Sequence, residues 1–265
     1  MSGLPDNSQR SSAYNLASMV IARVNDGAMV SYAQNYEDVL LRRAFPDQTN
    51  GFFVDIGAFH PVKNSVTQHF QLRGWSGVNI DPDEKNIELF NQLRPKDTNL
   101  CFAIGQKDGD TKIYSLPNTS RTTALAELAA SYKKRGLEIR ECEVPTRTLA
   151  SLLDEYASRT IDFLKIDVEG AEYDVIVGGD WQRHRPRIVL AEATYPETDR
   201  PNWEQWEFIL LEANYTFAYY DGLNRFYVRN EDLSLADCFD RPPNFFDDFV
   251  RAEVVDLARA LTNSE

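Results

Sequence analysis

Two apolar runs in the first third of the chain each end in an acidic residue followed by a turn. The first is Phe52-Phe53-Val54-Asp55-Ile56-Gly57, and the second is Val78-Asn79-Ile80-Asp81-Pro82. A parallel strand buried on both faces reads as such a run, because helices cover it on both sides. A helix-length segment lies between the runs, so together they predict a β-α-β unit. Its acids then stand at the carboxyl ends of adjacent strands, where doubly wound sheets bind nucleoside cofactors.

The rest of the chain continues this alternation of strands and helices. Further strands are predicted at 100–104, 161–166 and 188–191, with a closing pair at 215–220 and 225–228. Asp167 and Glu192 follow two of these strands, and Asp221-Gly222-Leu223-Asn224 is typical of a hairpin turn. The pattern predicts an α/β fold: a doubly wound, mostly parallel sheet with an antiparallel edge hairpin.

Helices and less regular segments complete the expected organisation. Helices are predicted at 31–45, 64–72, 83–93, 147–156, 171–178 and 203–212, extended pieces at 111–116 and 143–145, and a loop or mobile helix at 117–141. Residues 1–30 read as an extension with a helix, 31–235 as the main domain, and 236–265 as a helical tail. In the tail, Asn244 is expected to cap a helix with an apolar stripe that packs in the core or forms a dimer contact. The stripe comprises Phe246, Phe249, Val250, Val254, Leu257 and Leu261.

Composition excludes several classes of protein. The 265 residues suit one α/β domain with extensions, and the formal charge of −13 disfavours a nucleic-acid binder. The same charge disfavours a strongly anionic substrate, although less firmly. Three widely spaced cysteines form neither a metal-ligand pattern nor a disulfide framework. We find no apolar run of membrane-spanning length and no signal peptide in the polar N-terminus, so we expect a cytoplasmic protein.

The glycine pattern narrows the choice of cofactor. A dinucleotide fold needs Gly-x-Gly-x-x-Gly, but Gly57 stands alone here, with Phe59 and His60 where further glycines belong. No Gly-x-x-x-x-Gly-Lys phosphate loop occurs either. A cofactor without phosphates fits better, and the strand-end acids would attract the cationic S-adenosylmethionine. Asp81 lies 24 residues beyond Gly57, close to the spacing of a ribose-binding acid.

Five ordered motifs resemble the FkbM family of S-adenosylmethionine-dependent methyltransferases over roughly residues 31–195. They are Tyr32-Ala33-Gln34-Asn35-Tyr36-Glu37-Asp38, Val54-Asp55-Ile56-Gly57-Ala58, Gly74-Trp75-Ser76-Gly77-Val78-Asn79-Ile80-Asp81-Pro82, Val144-Pro145-Thr146-Arg147-Thr148-Leu149, and Leu164-Lys165-Ile166-Asp167-Val168-Glu169-Gly170-Ala171-Glu172. The resemblance implies a Rossmann-like class I methyltransferase fold with seven strands. It also implies O-methylation, commonly of a sugar or polyketide hydroxyl. The His60-Pro61 pair and the segment 221–227 resemble members associated with surface polysaccharides.

Candidate site residues follow from the strand ends and from this resemblance. For cofactor binding we expect Asp55, Gly57, Ala58, Asp81, Asp108 and Asp167; for catalysis His60, Asp167 and Glu169; for the substrate Tyr195, Tyr220 and Arg225. His60 titrates near neutrality, which suits a general base. Several of these have a purely structural alternative. Asp108 suits a turn, Glu169 and Glu172 suit a first helical turn, and Arg225 could pair with a neighbouring acid.

The leading hypothesis is therefore an O-methyltransferase that acts on a hydroxyl of a sugar or surface polysaccharide. An alternative keeps the cofactor but changes the acceptor to a macrolide or another small natural product. A third, from another class, is a non-catalytic nucleoside-binding partner protein, and homo-oligomerisation stays open. Proton removal by His60 without a metal is favoured; if a divalent cation takes part, Asp167 and Glu192 are its expected ligands.

Overall fold

A computed structural model of the protein describes residues 7–117, 119 and 122–263, with side chains from residue 12 onwards. The polar lead at 1–6 and three residues of the predicted loop, 118, 120 and 121, lie outside the described residues. The strands are β1 (Met29–Ser31), β2 (Phe52–Ile56), β3 (Ser76–Ile80), β4 (Thr98–Leu100), β5 (Ala103–Gly105), β6 (Gly109–Ser115), β7 (Thr122–Thr123), β8 (Arg140–Thr148), β9 (Phe163–Ile166), β10 (Ile188–Glu192), β11 (Tyr215–Tyr220), β12 (Asn224–Arg229) and β13 (Phe249–Arg251). The helices are α1 (Asn7–Asn25), α2 (Glu37–Ala44), α3 (Gln68–Leu72), α4 (Glu84–Leu93), α5 (Ala126–Lys134), α6 (Leu149–Tyr156), α7 (Glu172–Val177), α8 (Glu207–Glu212) and α9 (Ala252–Thr262).

The main sheet has seven strands in the order β11-β12-β10-β9-β2-β3-β4. The pairings from β4 to β10 are all parallel, whereas β12 runs antiparallel to both β10 and β11. Val54 of β2 lies opposite Val78 on one side and Leu164 on the other, so β2 is a central strand. These pairings confirm the α/β fold and the antiparallel hairpin at one edge.

Side chains of the central strands alternate between two buried clusters, one on each face of the sheet. Val54 and Leu164 belong to one cluster, together with residues of α6, α7 and α8. Phe53 and Phe163 belong to the other, which includes residues of α2 and α3. Because both faces are covered by helices, the strands read as continuous apolar runs, and this made them predictable from the sequence.

A second sheet of four strands, in the order β5-β8-β6-β7, was not predicted. The expected strand 100–104 is divided: β4 ends at Leu100 in the main sheet, and β5 begins at Ala103 and pairs with β8. The strand β8 extends well beyond the short piece predicted at 143–145, and it pairs along its length with β6. Part of the expected loop at 117–141 forms β7 and α5. This sheet lies over the carboxyl ends of the central strands, where its residues line a cavity.

The helices predicted at 31–45 and 64–72 both begin later in the structure, and the helix predicted at 203–212 is divided into a 3-10 turn, Trp203–Gln205, and α8. The predicted helix 31–45 begins only at Glu37, because Ser31 belongs to β1 and Tyr36 adopts a left-handed backbone with φ 64°. The predicted helix 64–72 begins only at Gln68, because Asn64 is also left-handed, with φ 54°. These two non-helical segments meet each other, since Ala33 and Asn64 form a parallel bridge.

The two terminal extensions pack against each other, and the tail helix begins later than predicted. Asn244 caps only a short 3-10 helix, Phe245–Asp247, after which β13 pairs with β1. The strand interrupts the helical period, so the buried residues of α9 are Val255 and Ala258 rather than the predicted stripe. Among the described residues, no helix is long and apolar enough to cross a membrane.

Candidate functional site

A cavity of about 480 Å³ lies at the carboxyl ends of β2, β3, β9 and β10. Its wall includes 56–59, 80–82, 167–169 and Glu192, which are the ends of these four strands. Residues of the second sheet, among them Ile113, Thr122 and Thr123, complete the lining. The acids that close the central strands, apart from Asp55, therefore meet at one cavity, as expected for parallel strands.

Gly57 makes the tight turn that opens the cavity wall. Its φ is +78°, and a Cβ at this position would lie 1.7 Å from the backbone oxygen of Asp167. The amides of Gly57 and Ala58 both donate to the carbonyl of Ile80, at 2.9 and 3.0 Å. A side chain at position 57 is therefore excluded on steric grounds. The backbone of the turn is left accessible from the cavity at the ends of β2 and β3.

Asp81 follows β3 and is held in place by three donors. Its Oδ2 accepts from the amide of Phe59 at 2.9 Å, and its Oδ1 accepts from the amide of Asp83 and from Asn86 Nδ2. Burial raises the pKa of Asp81 to about 6, although the hydrogen bonds oppose this shift. Since carboxylate oxygens can accept more bonds than these, Asp81 retains capacity for ligand hydroxyl groups.

Lys165 is the only cationic side chain among the described residues that line the cavity. Its Nζ lies 3.2 Å from Asp55 Oδ1 and 3.4 Å from Asp167 Oδ2, and it donates to the carbonyl of Gly57 at 2.9 Å. Burial lowers the pKa of Lys165, but the charges of Asp55 and Asp167 outweigh this effect, so its pKa is raised. Asp55 itself is 1% exposed and lies behind the cavity wall, where it anchors the lysine.

Glu172 and Glu192 are buried acids with different surroundings. Glu172 accepts from the amides of Val168 and Gly170 and from Asn202, so it fixes the loop that carries Asp167 and Glu169. Glu192 lines the cavity, and its Oε2 has no hydrogen-bond partner within the described part of the chain. Burial, reinforced by the charge of Asp167, raises the pKa of Glu192.

Asp167, Glu169 and the 57–58 turn, all predicted from the sequence, line the cavity, but His60 and Asp108 do not. His60 Nδ1 accepts from the amides of Val62 and Lys63, at 2.9 and 3.0 Å, so the ring braces its own turn. Burial, and then the charge of Lys63, lower the pKa of His60. Asp108 accepts a hydrogen bond from the amide of Thr148, immediately before α6, so its contact is a structural one.

The three predicted substrate residues lie outside the cavity lining as well. Arg225 is 9% exposed, forms an ion pair with Glu207 at 2.6 Å, and stacks between Trp203 and Phe217. Tyr195 stacks with Arg200 and accepts from Gln205, while the Tyr220 hydroxyl donates to the carbonyl of Gly222. The position of Arg225 therefore agrees with its structural alternative, which was pairing with an acidic residue.

Sequence reasoning missed a buried arginine that organises one wall. Arg94 is 1% exposed and donates to Ser65, Thr67 and Gln68, as well as to the carbonyl of Pro61. These contacts fix the segment 61–68, from which Asn64 and Val66 line the cavity. The position of Arg94 after α4 carries no signal of this role, because its partners lie about thirty residues earlier.

The predicted cation ligands Asp167 and Glu192 both line the cavity. However, the part of the chain that the structure describes contains no group of three or more His, Cys, Asp or Glu side chains arranged to hold a metal ion.

Comparisons with known proteins identify the family of this chain. The family model for the methyltransferase FkbM domain matches residues 55–217, more than half of the chain. The chain belongs to the FkbM methyltransferase family. A solved structure described as methyltransferase FkbM from Methylobacillus flagellatus KT is similar, with 14% sequence identity and a TM-score of 0.45. That match covers 75% of this chain and 48% of the other, so this chain spans about half of that protein. Curated proteins give no match.

Proposed function

We propose that this FkbM-family protein is an S-adenosylmethionine-dependent O-methyltransferase with a class I methyltransferase fold. The observation that carries the proposal is the cavity in which the Gly57 turn and the buried Asp81 face the same space. Family membership supports methyl transfer, and this site supports the cofactor.

The chemistry of the lining fits S-adenosylmethionine better than a dinucleotide. Asp81 suits the two ribose hydroxyls, and the Gly57 turn leaves backbone room for the amino-acid portion. Phe102 and Ala103 offer an apolar surface for the adenine ring. A pyrophosphate would need a glycine-rich turn at a helix N-terminus, and Gly57 stands alone here. Lys165 cannot replace that turn freely, because it already serves Asp55, Asp167 and the Gly57 carbonyl.

The chain would contribute alignment and proton removal. Bound S-adenosylmethionine supplies an electrophilic methyl group, and the acceptor hydroxyl must lose a proton as it attacks. Asp167 lines the cavity with its side chain 37% exposed, so we assign proton acceptance to it. His60, whose ring is hydrogen-bonded within its own turn, becomes the second candidate for proton acceptance. Glu169 lines the cavity near Asp167.

The proposed acceptor is a neutral or weakly charged sugar hydroxyl. Seven carboxyl side chains line the cavity against one lysine, so a phosphate or carboxylate on the acceptor would be repelled. The resemblance to polysaccharide-associated members favours a sugar over a macrolide. The lining carries polar groups along with the apolar ones, including Gln34, Asn64 and Thr194.

Mass spectrometry of reaction products tests this proposal. Purified protein, S-adenosylmethionine with a deuterated methyl group and a panel of oligosaccharides should give an oligosaccharide that carries one labelled methyl group. Methylation confined to proteins or nucleic acids would contradict the sugar acceptor, and methylation of macrolides alone would favour the alternative small-molecule acceptor. Cofactor binding without methylation of any acceptor would favour a non-catalytic binding protein.

A further inference from the structure

The motif Tyr32–Asp38 has no role in the function proposed so far, although it enters the cavity. It precedes the segment that matches the family model, which begins at residue 55. Gln34 and Glu37 nevertheless line the cavity, beside Leu223 of the hairpin turn. A segment outside the strand-helix core therefore forms part of the wall.

Buried hydrogen bonds fix the shape of this segment. Asp38 accepts from Ser31 Oγ and from the amide of Tyr32, both at 2.7 Å, and from the amide of Ala33. Tyr36 takes a left-handed conformation immediately before α2. The segment is thus rigid where it meets the cavity, which is what a binding residue needs.

Glu37 is 4% exposed and has only neutral partners among the described residues. Its Oε2 accepts from the amide of Asn35 at 2.7 Å, and its Oε1 accepts from Asn224 Nδ2 at 3.0 Å. Burial, and then the charge of Asp221, raise the pKa of Glu37 to about 8. A buried carboxyl without a cation costs stability, so its position calls for a reason beyond folding.

Two structural explanations account for Glu37 only in part. An acid in the first turn of α2 interacts favourably with the helix dipole, but an exposed acid does this without the cost of burial. The bond to Asn224 ties α2 to the hairpin, but Asn35 already does so through the carbonyl of Asp221. Neither explanation requires that Glu37 face the cavity. The oxygens of Glu37 accept two hydrogen bonds, from Asn35 and Asn224. An ionised carboxylate can accept roughly four, and the protonated form can also donate one.

We propose that Glu37 and Gln34 bind hydroxyl groups of the methyl acceptor at the end of the cavity opposite Asp81. In the sheet order, β3 and β12 are separated by β2, β9 and β10, which is four strand spacings or about 19 Å. Asp81 follows β3, whereas Glu37 is bonded to Asn224 at the start of β12. This length leaves room for a cofactor at one end and a sugar at the other. An acidic and an amide side chain together suit a polyhydroxyl ligand, and the inference rests on the methyl-transfer function proposed above.

The experiment measures sugar binding and cofactor binding separately. Protein loaded with S-adenosylhomocysteine is titrated with methyl glycosides of neutral hexoses and 6-deoxyhexoses, and the same sugars are used as acceptors. Glu37→Gln should raise the acceptor Kd and KM about 10- to 100-fold, while the Kd of S-adenosylmethionine stays unchanged. Gln34→Ala, at an exposed position, should raise the acceptor Kd and KM by a smaller factor. Glu88→Gln on the exposed face of α4 is the matched control. It should change neither the acceptor Kd and KM nor the Kd of S-adenosylmethionine.

Thermal unfolding distinguishes binding from a structural role. If Glu37→Gln lowers the Tm but both Glu37→Gln and Gln34→Ala retain the wild-type acceptor Kd and KM, the inference is wrong. Failure of every glycoside to bind the wild type, while S-adenosylmethionine binds, would contradict both the sugar class and this assignment. Failure of S-adenosylmethionine to bind the wild type would instead overturn the proposed function itself.

Discussion

The two ends of the cavity are built in different ways. The end at β2 and β3 consists of backbone turns and one carboxyl, Asp81, from segments adjacent in the sheet. The end at β10 and β12 consists of side chains from distant segments, including Gln34, Glu37, Glu192 and Leu223. The first is fixed by steric fit at Gly57 and the second by hydrogen bonds between side chains. This division suits a constant cofactor at one end and a variable acceptor at the other, because side chains change more readily than a backbone turn.

Asp167 lies between these ends, and its removal should have the largest effect. Asp167→Asn should lower kcat about 10²- to 10⁴-fold, the range expected for loss of a general base, with cofactor affinity nearly unchanged. His60→Ala should lower kcat less than about tenfold, because that ring lies outside the cavity lining. Steady-state kinetics of the two variants check this. The reverse order of effects would return the proton-accepting role to His60.

Gly57 tests whether backbone shape defines the cofactor end. Gly57→Ala should reduce the free energy of unfolding by about 3 kcal/mol and abolish cofactor binding, since the new Cβ meets the Asp167 carbonyl. Gly136→Ala is a close control, because Gly136 has nearly the same φ of +77° but open space around it. The control should cost only about 1–2 kcal/mol, the strain of a left-handed alanine. Chemical denaturation measures both variants. Equal losses of unfolding free energy in Gly57→Ala and Gly136→Ala would show that the close approach to the Asp167 carbonyl does not matter.

The pH dependence of cofactor affinity sharpens the same comparison. Asp81 must be ionised to accept both ribose hydroxyls, and burial raises its pKa to about 6. As the pH falls below about 6, the free protein takes up a proton that binding must release, so affinity should fall by about tenfold near pH 5. Titrations from pH 5 to 8 measure this. An affinity that rises on acidification would contradict the assignment of Asp81.

The end of the cavity at β2 and β3 was predictable, whereas the other end was not. Continuous apolar runs identified β2, β3, β9 and β10, and an acid or glycine after each run located the strand ends. Parallel strands bring such positions together by geometry alone, so local sequence was sufficient. At the other end, Glu37 accepts a hydrogen bond from Asn224, 187 residues away, and no local pattern encodes that contact.

Other predictions from the sequence differ from the structure for the same reason, which is that contacts between separate segments decide the outcome. The strands β6 and β8 pair with each other and leave several side chains exposed, so their apolar signal is weak. Tyr220 was assigned to the substrate as an aromatic side chain that could stack on a sugar, and Arg225 as a residue of the hairpin turn. Arg225 instead forms an ion pair with Glu207 of α8. In the tail, the strand β13 breaks the helical period and exposes Leu257 while Val255 is buried.

Calorimetric titration with S-adenosylmethionine tests the central claim most directly. Wild-type protein should bind S-adenosylmethionine and its demethylated product but not NAD. Asp81→Ala should weaken binding about 10- to 100-fold, the effect of losing a charge-assisted hydrogen bond to ribose. Asp108→Ala should leave the affinity unchanged, because Asp108 contacts the start of α6 instead of the cavity. Tight binding of NAD with none of S-adenosylmethionine, or unchanged S-adenosylmethionine affinity in Asp81→Ala, would contradict the account.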